Sequence, residues 1–394
     1  MRPRGLSAAV LLLAAVVLQA ACDSRSPAPI PAQAQSPSRA QVPSQAQAPA
    51  YPCATSIAPD AAAARAEIRG SYAEWKRRYL TSEGAGRDLR VKMPGYKNGA
   101  TTSEAMGYGM LLAAYLDDRP AFDGMWRYVK RHRNPRGMMS WEITPEGRVP
   151  DPNAATDGDQ DIAFALVVAD ARWGGYRADA RALIGSILRH AVEPGTNVLK
   201  PGDVWGGSQV TNASYYAPAY YHVFAAYTGE PRWNRVADAS YAVLGRVVAR
   251  HSPTTGLLPG WTTAAGNRVT VGGDFAFLYD YGSARIPWRL AMDAAWHCDR
   301  RAQHHLRLLN RFFQRVGVDD LRDGYELNGR PTGEGPAGAS FIAPAAAGAV
   351  VSTDARYRRT MWNETLQFRN GGYYPDSLRL LALLFASGGM PAPR

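Results

Sequence analysis

Residues 155–164 read ATDGDQDIAF, with three carboxylates, Asp157, Asp159 and Asp161, at alternate positions. They open directly onto the apolar run IAFALVVADARW, residues 162–173. That run has no polar face, and a helix apolar all round belongs in a core. The spacing of the aspartates matches positions 1, 3 and 5 of a calcium-binding EF loop. That loop also needs Gly at position 6 and Glu at position 12, where this chain has Ile162 and Val168. A helix N-terminus is the alternative: Thr156 or Asp157 as cap, with acidic residues in the first turn favouring the dipole. One carboxylate would satisfy that need, so three point to a function beyond capping.

The same apolar spacing of three and four residues recurs along the chain. It is present in PDAAAARAEIRGSYAEWKRRYL, SEAMGYGMLLAAYL, ARALIGSILRHAV, RVADASYAVLGRVVARH, AQHHLRLLNRFFQRV and SLRLLALLFAS. Strand signals are few and short. About a dozen helices over roughly 330 residues predict one all-α domain of antiparallel helix pairs, with short and long connections alternating. The long connections, such as KPGDVWGGSQVTNASYYAP, hold most of the aromatic residues, and loops carried on a rigid scaffold are where function concentrates.

In TTSEAMGYGMLLAAYL, Ser103 is the expected N-cap, with Glu104 just inside the helix. Gly107 and Gly109 each cost about 1 kcal/mol against Ala there, which implies close approach of a neighbouring helix or a ligand. Glu104 and Asp157 both open helices, and in a closed helical barrel alternate helices start on one rim. Two such carboxylates brought together suit glycoside hydrolysis, in which an acid protonates the leaving oxygen and a carboxylate activates water.

The first 22 residues, MRPRGLSAAVLLLAAVVLQAAC, place two arginines before an apolar run ending in small residues, the pattern of a secretory signal peptide. Residues 6–18 make a run too short to span a bilayer comfortably. Cys22 is a candidate for acylation as a lipoprotein, although Gln19 departs from the aliphatic residue usual three positions earlier. Residues 23–57, rich in Pro, Ala, Gln and Ser, read as a disordered tether, and residues 58–394 as the catalytic domain. The expected location is periplasmic or extracellular, with membrane anchoring through Cys22 as one form. Cys53 and Cys298 remain as a pair, which in an oxidising compartment suggests one disulfide; the alternative is two separate buried thiols. The formal net charge of +11 has no basic run or nucleic-acid motif to accompany it, so a solvated basic surface is expected rather than nucleic-acid binding.

Taken together, SEAMGYGM, MMSWEI, ATDGDQDIAFALVVADARWG, NASYYAPAYYHVFAAYTG, SARIPWRLAMDAAW and GGYYPDSLRLLALL are similar to the family 8 glycoside hydrolases. The resemblance covers essentially everything after residue 58. It implies an (α/α)6 barrel with a cleft across one end, cleavage of β-1,4 bonds with inversion, no metal or organic cofactor, and a monomer acting on a β-linked polysaccharide. By matching position, Glu104 is the general acid and Asp157 contacts the sugar at the cleavage point. Trp141, Trp205 and Tyr373 match aromatic platforms for sugar rings, Tyr215 helps place the attacking water, and Arg285 lies by the base.

The base is where the sequence departs from the family pattern. Many members carry Asp three residues before the Arg of SARIPWR, where this chain has Gly282. Asp280 is the expected substitute and Asp274 the alternative. A cellulose-type endoglucanase is the leading expectation, with chitosan, mixed-linkage glucan and xylan open as substrates. Glu142, beside Trp141, is either a feature favouring an amino sugar or a solvent-facing residue. A glycan-binding lipoprotein that has lost its base is the reading from a different class.

Overall fold

The structure, a computed structural model, describes residues 51–271 and 277–393. Cys22, the expected signal peptide, residues 23–50 of the expected tether and Asp274 lie outside the described residues, while 51–57, expected to be disordered, are ordered against the barrel. Twelve α-helices occur among the described residues. Six of them form an inner ring: α2 (Ser103–Tyr115), α4 (Thr156–Trp173), α6 (Pro218–Thr228), α8 (Ile286–Trp296), α10 (Ala339–Gly348) and α12 (Tyr373–Ala386). α2 packs on α4, α4 on α6, α6 on α8, α8 on α10, α10 on α12, and α12 returns to α2. The ring is closed. The other six, α1 (Ala61–Tyr79), α3 (Arg119–Arg131), α5 (Arg177–His190), α7 (Arg232–His251), α9 (Arg300–Val316) and α11 (Ala355–Gln367), form an outer layer. This is an (α/α)6 barrel.

Sequence assigns the helices to their layers. α8 and α10 are buried over their whole length, and α2 from Ser103 to Ala114. α9 instead buries Ala302, His305, Leu306, Leu309, Phe312 and Phe313, one stripe at helical spacing, and turns arginines outward. Each inner helix from α2 to α8 passes to the next outer one through a short turn, as at 116–118, 174–176, 229–231 and 297–299. The returns at 80–102, 132–155, 191–217 and 252–285 are long. All long returns therefore lie on the rim where the inner helices begin.

Three short antiparallel ladders stiffen that rim. β1 (Leu80–Thr81) pairs with β2 (Arg90–Val91), β3 (Thr101–Thr102) with β4 (Glu142–Ile143), and β5 (Thr211–Asn212) with β6 (Trp261–Thr262). β3 runs directly into α2, so the ladder fixes where Glu104 starts. On the opposite rim an N-terminal strap laces the ends of the inner helices. The backbone N–H groups of Cys53, Thr55 and Ile57 donate to the carbonyls of Ala295, Val350 and Ala386, and Cys53 is disulfide-bonded to Cys298.

Candidate active site

α2 and α4 meet at unusually close range because glycines face each other's backbones. A Cβ on Gly107 would stand 2.6 Å from the Cβ of Asp161, and one on Gly158 would stand 2.5 Å from the backbone of Ser103. The glycines of SEAMGYGM therefore serve helix packing, and Gly109 faces Met125, Val91 and Trp75 in the same way. The contact sets Glu104, in the first turn of α2, beside Asp157, in the first turn of α4.

Both carboxylates converge on one guanidinium. Arg285, at the N-terminal boundary of α8, donates from Nη1 to Oε2 of Glu104 at 2.7 Å, and its Nη2 lies 2.9 Å from Oδ2 of Asp157. Nη1 also reaches the Tyr108 hydroxyl at 3.1 Å, and Nε reaches Ser214 Oγ at 3.3 Å. Glu104 and Asp157 are both buried. Burial pushes the Glu104 carboxyl up to about 7; the Arg285 charge opposes the rise and the Asp157 charge adds to it. Neither oxygen of Asp157 accepts a hydrogen bond from a described residue. Its charge is offset by Arg285, but the hydrogen-bonding positions of its oxygens are left open, and a substrate hydroxyl would fill them.

The three aspartates of ATDGDQD divide by helical geometry. Positions i and i+4 share a face, whereas i+2 lies on the far side. Asp157 and Asp161 accordingly face α8, where Arg285 and Arg289 have the same spacing. Asp161 takes a two-pronged bond from Arg289, with both contacts at 2.6 Å. Asp159 turns the other way and accepts the backbone N–H of Met139 at 2.9 Å, tying down the 132–155 return. None of them caps. The N-cap of α4 is Ala155, with no side-chain bond, which corrects the expected capping by Thr156 or Asp157. α2 is capped by Thr102, whose Oγ1 accepts from the Ala105 N–H, and Ser103 is already inside the helix.

Asp280 lies in the turn before α8. Its Oδ1 accepts the Gly282 N–H at 2.8 Å, and burial pushes its carboxyl up to about 6 against that bond. A Cβ on Gly282 would stand 3.1 Å from the same oxygen. Among the described residues no hydrogen bond or ion pair joins Arg285 to Asp280; the guanidinium is taken up by Glu104 and Asp157.

The aromatic residues fall into two groups. Trp205 is half-buried and stacks on Trp261 with ring centroids 5.6 Å apart. Trp261 in turn leans on Tyr215, whose ring lies under the Arg285 guanidinium at 5.1 Å. Trp141 is only 5 % exposed and has Lys97 Nζ 5.5 Å from its ring centre. Tyr373, at the start of α12, is 4 % exposed and packs edge-on against Tyr79. Neither Trp141 nor Tyr373 presents an open face in this structure, unlike the platforms expected of them.

Residues 46–388 match the model of glycosyl hydrolases family 8. The chain belongs to that family. It is 41 % identical over 351 residues to endoglucanase A of Acetivibrio thermocellus, covering 86 % of this chain and 72 % of that one. It is 32 % identical over 348 residues to a beta-glucanase of Niallia circulans, covering 82 % and 84 %. Among solved structures, the apo beta-1,3-1,4-glucanase of Paenibacillus sp. X4 superposes with a TM-score of 0.80 at 28 % identity, covering 86 % of this chain and 96 % of that one.

Several side chains of this family 8 enzyme's site carry no signal that sequence reading used. Arg289, Tyr108, Ser214 and Trp261 are of this kind. So is Tyr374, which donates to the Tyr281 carbonyl at 3.2 Å and whose hydroxyl is pushed up by burial, with the Arg285 charge opposing the rise and those of Glu104 and Asp157 adding to it. The i, i+4 match between Asp157/Asp161 and Arg285/Arg289 is present in the sequence, but it acquires meaning only once α4 and α8 are known to face each other. Glu142 neither faces solvent nor stands free: it is buried, accepts the Tyr96 hydroxyl, and holds Lys97 Nζ at 2.6 and 2.7 Å.

Proposed function

We propose that the enzyme is an exported endo-β-1,4-glucanase that inverts the anomeric centre, with Glu104 as general acid and Asp280 as general base. The observation that carries this reading is the buried Glu104 carboxyl at about 7, beside an Asp157 that is ion-paired with Arg285 but accepts no hydrogen bond from a described residue. A general acid must hold its proton near the working pH. Asp157, poised by Arg285, would then accept hydroxyls of the sugar at the cleavage point. Asp280 draws support from its position, because its carboxylate already lies where a side chain at 282 would enter. This local substitution is also the argument against a base-less binding protein.

Several relatives at 38–41 % identity are named endoglucanases, which supports a glucan as substrate. Glu142 offers nothing to an amino sugar, since Lys97 already occupies it, and that favours a neutral polymer over chitosan. The signal peptide supports export, and Cys22 would supply a membrane anchor if acylated.

The test is reducing-sugar release from carboxymethyl-cellulose, mixed-linkage glucan, chitosan and xylan by wild type, Glu104→Gln and Asp280→Asn, with product anomers read by NMR. The expected result is cleavage of a β-glucan to the inverted anomer, with kcat lowered about 10² or more by each substitution. Full activity of Asp280→Asn would remove Asp280 as base. A wild type that binds glucan without cutting it would favour the binding-protein reading.

A further inference from the structure

Away from the cleft, α6, α8 and the start of α9 bring one imidazole and two carboxylates together. His222 projects from α6, Asp293 from α8, and Asp299 is the N-cap residue of α9. One ligating atom from each lies within 4.8 Å of the other two. Asp293 stands eight residues beyond Arg285, about 12 Å further along the helix, so this cluster is separate from the acid–base site.

Two features point to a ligand. The first is Asp293, which is 0 % exposed. Its Oδ2 accepts the Tyr241 hydroxyl, but Oδ1 accepts no hydrogen bond from any described residue. That oxygen points toward His222 Nε2, 3.8 Å away, too far for a hydrogen bond. The second is the orientation of His222. Its Nδ1 lies 3.0 Å from Oδ1 of Asn234; a carbonyl oxygen only accepts, so Nδ1 carries a proton and Nε2 is the ring atom turned toward Asp293. An imidazole held from behind through one nitrogen in this way is how metal-binding histidines are oriented. Asp299 already accepts from two backbone N–H groups of α9 and from Nη2 and Nε of Arg301, so a cation would take the place of one of the long Nε contacts at 3.2 Å.

We propose that His222, Asp293 and Asp299 form a non-catalytic site for a divalent transition-metal cation of the zinc class. One imidazole nitrogen with two carboxylate oxygens leaves a fourth, tetrahedral position for water, and the nitrogen ligand disfavours calcium and magnesium. The cation has a path in, because the His222 side chain is 23 % exposed and that of Asp299 13 %. Bonds of about 2.0–2.2 Å require tighter spacing than these ligands show, so binding draws α6, α8 and α9 together and raises stability by linkage.

The experiment is calorimetric titration of zinc chloride into chelator-stripped enzyme, with thermal unfolding measured alongside. The expected result is one saturable site of micromolar affinity and a zinc-dependent rise in Tm. His222→Gln weakens binding at least tenfold, whereas substitution of the exposed His304 by Gln leaves it unchanged. Calcium and magnesium produce neither signal. Absence of saturable binding below about 100 μM overturns the site, since that is only about −5.5 kcal/mol of affinity. Equal binding by His222→Gln, or loss with His304→Gln alone, overturns it as well.

Discussion

At the scale of single residues, the chemistry turns on how one guanidinium is shared. Arg285 opposes the rise that burial imposes on Glu104, yet the carboxyl still reaches about 7, while Asp280 reaches about 6. An acid must be protonated and a base ionised, so the productive form is most populated between those two values. kcat/KM on a glucan is expected to fall below about pH 6 as Asp280 takes up a proton, and above about pH 7 as Glu104 loses one. In Asp280→Asn the acid limb should vanish while any residual alkaline limb stays in place. Persistence of the acid limb in that variant would assign it to another group. The sequence placed Glu104 and Asp157 at this centre because each follows a loop and opens an apolar helix. It could not place Arg289: the bond to Asp161 joins positions 128 apart, and such a pair is visible only if both helices are already known to be neighbours.

At the scale of elements, the layers were legible and the caps were not. An inner helix such as α10, ASFIAPAAAG, has no polar stripe, and α9 has a clear one, so periodicity alone sorts them. Capping instead depends on a single residue of backbone: Thr102 rather than Ser103, and Ala155 rather than an acidic residue. The purpose of Gly107 lay between those extremes, since its cost was evident but the neighbour demanding it was not. Gly107→Ala tests that contact. Its Cβ would press 2.6 Å from Asp161 Cβ and 3.1 Å from the Gly158 carbonyl, and overpacking of this kind costs about 1–3 kcal/mol. Urea unfolding should show that loss, and kcat should drop too, because separating α2 from α4 moves Glu104 off Asp157. Arg289→Met leaves Asp161 buried without its partner, and a loss of about 3–5 kcal/mol is expected by the same measurement.

The molecule as a whole divides its work between two rims. One carries the long returns, the ladders and Glu104, Asp157 and Arg285; the other carries short turns and the N-terminal strap that joins the ends of α8, α10 and α12. The Cys53–Cys298 bridge closes a loop across 245 residues, and a cross-link of that span constrains the unfolded chain by up to about 5 kcal/mol in the chain-entropy account. Cys298 lies thirteen positions beyond Arg285, past the far end of α8, which puts the bridge well away from Glu104 and Asp157. Cys53→Ser is therefore expected to lower the unfolding free energy by about 2–5 kcal/mol while leaving kcat on a β-glucan within twofold of wild type at 25 °C. Reduction of the wild type should reproduce the loss in Tm, and reduction of the variant should add nothing. A large fall in kcat without a fall in Tm would mean that the strap acts on the catalytic rim through the inner helices, and the separation of the two rims would have to be abandoned.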